Sequence, residues 1–224
     1  MGVEPQNDHR GLSHIWEIDF FWIDAQLLVY VKKLRPTRYG PSEMKPPPFR
    51  YHDPKTVSEA VGLLGSLENA KLLAGGHSLL PVMKLRLANP SALIDLSLVE
   101  GMSGVEQKGR SVVIGAMTRH ADAANSPVLQ QVLPGLASVP ASVGDPQVRN
   151  RGTIGGSVAN NDPAACYPAA VLALNGTVHT SKRQIAADAF FKGMYETALE
   201  DGELITSVSF PIPKKAAYIK FVQP

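Results

Sequence analysis

The sequence predicts an α+β protein with two small lobes and a cleft between them. Three observations point there. Helical and strand patterns alternate without the strict strand–helix–strand rhythm of a doubly wound parallel sheet. Two glycine pairs, Gly75 with Gly76 and Gly155 with Gly156, each stand among hydroxyl side chains just ahead of a helical pattern. A stretch rich in Pro, Gly, Asp and Arg, residues 139–153, reads as one long loop, and a loop of that length inside a compact domain is usually functional. No internal repeat is visible.

Along the chain, residues 1–43 form a leader with an aromatic middle (Trp16, Phe20, Phe21, Trp22) and a basic end (Lys32, Lys33, Arg35, Arg38). Pro46, Pro47 and Pro48 then forbid helix and favour an extended entry, which places a boundary there. The leader reads either as a docking arm or as an upstream extension with Met44 as the natural start; the second is favoured. Residues 44–101 form the expected first lobe, 102–213 the second, and 214–224 the beginning of a further domain. Thr56 and Glu59 have capping-box spacing, and Val57, Ala60, Val61, Leu63, Leu64 and Leu67 make the apolar face of the helix that follows. Residues 70–74, 92–96, 112–115, 177–180 and 204–210 read as strands. Residues 79–87 read as a short helix or turn. Thr118 is placed to cap a helix running through Ala124. Residues 128–137 read as one helix interrupted by Pro134, and residues 163–174 as a helix entered through Asp162 and Pro163 and distorted at Pro168.

Composition narrows the function. The chain of 224 residues is 44% hydrophobic and carries a net charge of +2, so nothing in its charge calls for nucleic acid or an anionic membrane as partner. Aromatics are only 7% and do not alternate with a basic patch, which argues against a single-strand stacking platform. The one cysteine, Cys166, can form neither an internal disulfide nor an iron–sulfur site, which needs about four thiolates. A lone thiol fits a reducing compartment. With no basic-then-apolar signal at the N-terminus, the expected location is the cytoplasm. The apolar stretch 15–31 contains Glu17, Asp19 and Asp24 and is not a membrane span.

The chemistry lies in the glycine segments. In AGGHSLLP, residues 74–81, paired glycines after a strand let main-chain N–H groups approach an anion with no Cβ in the way. The helix start that follows adds partial positive charge, and Ser78 a hydroxyl. TIGGS, residues 153–157, repeats the pattern. Two such loops suit the two sides of a diphosphate, or are simply tight turns. Neither is a Walker loop or the G-x-G-x-x-G dinucleotide fingerprint.

At these segments the chain resembles a known family. Residues 72–97 (LLAGGHSLLPVMKLRLANPSALIDLS), 113–122 (VIGAMTRHAD) and 149–178 (RNRGTIGGSVANNDPAACYPAAVLALNGTV) are similar, in family order, to motifs of the FAD-binding medium subunits of the carbon monoxide dehydrogenase and xanthine dehydrogenase family, the molybdenum hydroxylases. The resemblance implies a two-lobed FAD domain of the type shared with vanillyl-alcohol oxidase relatives, here without the family's C-terminal domain. It implies that Leu73, Ala74, Gly75, Gly76, His77, Ser78 and Leu79, with Thr153, Ile154, Gly155, Gly156 and Ser157, line the FAD diphosphate. It puts Thr118 near the cofactor, Ile205 beside the isoalloxazine ring, and Asn160 and Asp162 toward the ribose or adenine. No catalytic acid or base and no metal ligand is expected. The implied partners are a molybdopterin-binding large subunit and a [2Fe–2S] small subunit, assembled as a dimer of heterotrimers, with electrons passing from the clusters through FAD to an external acceptor.

The chain departs from the family pattern in four places. Cys166 stands where a carboxylate is usual, and Val222 where a basic residue is common. The sequence stops at Pro224, which implies a fragment or a truncated reading frame, and the leader has no family counterpart. Two other readings stand beside the main one: an independent flavin oxidase and a non-catalytic nucleotide-binding remnant. His77 is expected to shape the phosphate loop. Arg119, Arg149 and Arg151 either offset phosphate charge or sit on the surface. Cys166 is expected to pack.

Overall fold

The computed structural model describes residues 17–19, 30–32 and 45–221. The chain forms two units, Met1–Met44 and Lys45–Pro224. In the first, β1 (Glu17–Asp19) pairs antiparallel with β2 (Tyr30–Lys32), Glu17 opposite Lys32. Trp16, Phe20, Phe21, Trp22, Lys33, Arg35 and Arg38 lie outside the described residues, as does Val222.

The second unit opens without regular structure through its three prolines and enters β3 (Arg50–His52). The helix α1 (Val57–Ser66) follows, begun by the anticipated capping box: Glu59 N–H donates to the Thr56 hydroxyl at 3.2 Å, and the Thr56 N–H to the Glu59 carboxylate at 3.3 Å. Then come β4 (Ala70–Leu73), α2 (Leu79–Lys84) and β5 (Ala92–Asp95). These strands form a parallel sheet in the order β3-β5-β4. The central strand is sealed on both faces, and so Ala92, Leu93 and Ile94 form an unbroken apolar run.

The remainder of the unit is built on a five-stranded antiparallel sheet. The hairpin of β6 (Val105–Lys108) and β7 (Ser111–Gly115) leads into five short helices: α3 (His120–Ala124), α4 (Pro127–Val132), α5 (Pro134–Ala141), α6 (Pro146–Arg151) and α7 (Ile154–Asn160). After α8 (Cys166–Ala173), β8 (Thr177–Thr180) and β9 (Gln184–Ala186), the turn α9 (Ala187–Phe190) precedes a small hairpin, β10 (Phe191–Gly193) with β11 (Glu196–Thr197). The chain returns through the sheet centre as β12 (Ile205–Pro211), giving the order β6-β7-β12-β8-β9. Along β12, buried Val208 and Phe210 alternate with half-buried Ser207 and Ser209, the period-two pattern of a strand with one covered face.

Four local expectations are corrected. Residues 128–137 are not one interrupted helix: Pro134 opens α5, where its missing N–H costs nothing, and Leu133 is the break. Residues 139–153 are not one long loop, because Asp145 caps α6 (Val148 N–H to the Asp145 carboxylate, 2.9 Å) with Pro146 at its first position. Thr118 does not cap α3; Arg119 occupies that place. The helix expected over 163–174 starts at Cys166, so Pro168 falls in its first turn, where no helix hydrogen bond needs its N–H.

Candidate functional site

The first glycine segment bridges β4 and α2. Gly76 adopts φ +79°, a left-handed conformation that suits glycine. A Cβ on Gly75 would overlap the Arg151 carbonyl oxygen, and would lie 2.8 Å from the Gly152 Cα. The turn therefore backs directly onto the main chain that enters α7. The N–H groups of Gly75, Gly76, His77, Ser78 and Leu79 donate to no other group among the described residues. Five consecutive free donors on a tight turn form an anion cradle.

The second segment is not a loop. Thr153 is the N-cap of α7, and Gly155 and Gly156 lie in the helix's first turn. A Cβ on Gly155 would meet Ala116 Cβ at 2.5 Å, and one on Gly156 would crowd the Thr153 hydroxyl at 2.9 Å and reach contact with Ala74 Cβ at 3.4 Å. The N–H groups here are occupied. Ile154 donates to Thr118 O (3.2 Å), Gly155 to Ala116 O (2.8 Å) and Gly156 to the Thr153 hydroxyl (3.2 Å). The two segments are thus unlike. The first offers free donors, and the second offers a side-chain-free surface placed against the first.

Both segments line one cavity of about 830 Å³, within the range of small-molecule and cofactor sites. Its wall includes Ala74, Gly75, Gly76, His77, Ser78, Leu79, Thr153, Gly155, Gly156, Ser157, Asn160, Asp162 and Ile205. Three of the anticipated residues do not line it. Leu73 ends β4, Ile154 is fully buried, and the Thr118 hydroxyl is consumed by the Gly104 N–H (2.9 Å) and carbonyl (3.0 Å). Thr118 fixes the backbone that receives Ile154.

The comparisons with known proteins bear on the same residues. The family model described as "FAD binding domain in molybdopterin dehydrogenase" matches residues 47–213. The chain belongs to this family. It is 48% identical to the carbon monoxide dehydrogenase medium chain of Hydrogenophaga pseudoflava over 173 residues, covering 75% of this chain and 60% of that protein. It is 45% identical to the nicotine 6-hydroxylase medium subunit of Paenarthrobacter nicotinovorans, covering 75% of this chain and 61% of that one. Among solved structures, quinoline 2-oxidoreductase from Pseudomonas putida 86 matches with a TM-score of 0.74 at 37% identity, covering 76% of this chain and 61% of that one. The carbon monoxide dehydrogenase of H. pseudoflava matches with a TM-score of 0.73 at 48% identity, over 75% and 60%. The chain spans about 60% of the length of these relatives.

FAD is the cofactor of this family, and the site of this FAD-binding domain fits it. The free N–H run supplies donors for a diphosphate, and Gly156 against Ala74 leaves the wall there bare. Cations contribute little at the wall, where Lys71 is the one Lys or Arg among the described lining residues. Arg119, Arg149 and Arg151 do not line it, and the Arg149 guanidinium donates to the Val143 and Gly144 carbonyls at 3.1 and 2.9 Å. Between Asn160 and Asp162, the buried Asn161 is structural: its amide donates to Gly193 O (2.6 Å) and Glu196 O (2.8 Å), tying α7 to the β10–β11 hairpin. Cys166 is half-buried and packs against the core.

Two parts of the wall went unanticipated. His120 is 4% exposed, with Nδ1 buried and unpaired, and its Nε2 would lie 2.6 Å from a Cβ on Gly152. Burial, and to a lesser degree the neighbouring His77, pushes its pKa down to about 4, so the imidazole is neutral at pH 7. The other part is the turn 199–204, leading into Ile205. Its sequence, LEDGEL, reads as an ordinary polar turn, and only the three-dimensional closure reveals it as wall. Among the described residues no group of His, Cys, Asp and Glu is placed to hold a metal ion, and no helix is long and apolar enough to cross a membrane.

Proposed function

We propose that this chain is the FAD-binding, electron-transferring medium subunit of a molybdenum hydroxylase. The observation that carries this is the run of unpaired main-chain N–H groups from Gly75 to Leu79, lining one cavity with Gly155 and Gly156, within a chain of the matching family. FAD, when bound, supplies one- and two-electron transfer. The N–H groups of residues 75–79 and the hydroxyls of Ser78 and Ser157 hold the diphosphate. Gly155 and Gly156 keep its other side free of side chains. Asn160 and Asp162 serve the ribose and adenine, and Ile205 borders the ring. The same reading gives it a molybdopterin-binding large subunit and a [2Fe–2S] small subunit as partners, in a dimer of heterotrimers in the cytoplasm. Electrons enter from the clusters and leave to an external acceptor.

Support for the partners comes from the relatives, which are named as medium chains and medium subunits. The test is electron delivery. Mixing the FAD-loaded chain with a chemically reduced [2Fe–2S] partner is expected to bleach the flavin absorbance within the mixing time. Unchanged absorbance, with the two proteins failing to co-purify, would contradict the electron-transfer role.

A further inference from the structure

The turn 199–204 carries two acidic side chains with opposite fates. Glu200 is exposed, whereas Glu203 is 4% exposed, although a carboxylate is almost never sealed without partners. Its partners are unusually complete. The Glu203 carboxylate accepts the Thr180 hydroxyl (2.6 Å), Arg183 Nε (3.1 Å), Arg183 Nη2 (3.2 Å) and the Glu200 N–H (2.8 Å). Arg183 Nη2 also donates to Ala198 O at 2.7 Å. The main chains join alongside: Ser181 N–H donates to Leu204 O (2.8 Å), and Leu204 N–H to the Ser181 hydroxyl (3.2 Å). Burial alone would raise the Glu203 pKa, but the hydrogen bonds from Arg183, Thr180 and the Glu200 N–H prevail and hold it at about 2.

This network sits where β12 begins. The β12–β8 pairing shifts register between Ile205 and Ser207, opposite Thr180 and His179. Such a bulge re-aims the side chain at the strand's start. Ile205 and the turn before it both line the cavity. The clamp itself is polar, while Leu204 and Ile205, which follow it, are buried in the same apolar core as Val208 and Phe210.

We propose that Glu203, gripped by Arg183 and Thr180, is a positioning residue that fixes the 199–205 wall against the flavin-ring part of the site, and takes no part in holding the diphosphate. The proposal rests on the FAD reading above. The clamp acts through the Leu204 and Ile205 backbone, and the cradle at residues 75–79 shares no hydrogen bond with it.

The two halves of the ligand separate the roles. ADP carries the adenine and diphosphate without the ring. In Arg183→Gln, which alters a side chain 43% exposed and so spares the core, and in Glu203→Gln, FAD affinity measured by fluorescence is expected to fall at least tenfold. ADP affinity is expected to change less than twofold, and the bound-flavin absorption band to shift. Arg183→Lys, which keeps the charge, is expected to recover part of the loss. Amide hydrogen exchange of the ligand-free chain supplies an independent readout, with faster exchange expected across 199–205 and unchanged exchange at α2. Equal losses for FAD and ADP, or no loss for either, would overturn the proposal. If the wild-type chain binds neither ligand, the proposed function fails, and unchanged exchange at 199–205 in the variants would refute the clamp by itself.

Discussion

Gly75 lies against the main chain of Arg151 so closely that a β-carbon there would overlap the Arg151 carbonyl oxygen. The obstacle is backbone, which no rotamer change moves aside. Gly75→Ala is therefore expected to destabilise the domain by about 2 kcal/mol, the usual cost of overpacking. Thermal unfolding followed by circular dichroism checks this, with a fall in Tm of about 4–8 °C expected for a domain of this size.

Gly76→Val places a branched side chain at φ +79°, where its Cβ would also meet Leu80 at 2.9 Å. Loss of the turn geometry misaligns the free N–H groups, and FAD affinity is expected to fall at least a hundredfold. Gly156→Val fills the gap to Ala74 and crowds the Thr153 hydroxyl at 2.9 Å, with a similar loss. Equilibrium titration by flavin fluorescence measures both.

Thr153→Ala removes the cap that accepts the Gly156 N–H. Loss of an N-cap costs about 1 kcal/mol, read as a Tm lower by about 2–4 °C. The N–H it releases, that of Gly156, belongs to the segment that serves by shape, so FAD affinity is expected to change by less than fivefold.

These positions show what the sequence made legible. The two glycine segments, the strand leading to the first and the capping box of α1 were readable because each depends on local chemistry: a Cβ-free turn, a short apolar run, a hydroxyl three residues ahead of a carboxylate. What separated the two segments was not readable. GG before a helix and GG inside its first turn look alike, and only the partners of the N–H groups, Thr118 O and Ala116 O, tell them apart. His120 and Glu203 escaped notice for the same reason. Their burial is created by residues far away in the chain, Gly152 for one and Arg183 with Thr180 for the other.

The pH dependence divides into two windows. His120 has a folded pKa of about 4 against 6.5 when unfolded, so the unfolded chain binds the extra proton between those values. Stability therefore falls as pH drops from about 6.5 to 4, by roughly 3 kcal/mol from this group. Replacing His120 by Gln is expected to flatten that limb in urea melts taken at pH 6.5, 5.5 and 4.5. Glu203, held at about 2 against 4.5, acts in the same sense in a lower window. Its contribution is complete above about 4.5 and disappears as pH falls toward 2.

Residues 1–43 fall in a unit separate from Lys45–Pro224. Deleting them is expected to leave FAD affinity unchanged within twofold in the same titration, and a clear loss would make the leader part of the site.

The most direct measurement is the phosphorus resonance spectrum of FAD titrated with the purified chain. Main-chain donors at residues 75–79 predict one FAD bound per chain, with both diphosphate signals shifted and the shifts abolished in Gly76→Val. Diphosphate signals that stay at their free-ligand positions while the flavin binds, or a chain that binds no FAD, would contradict the account.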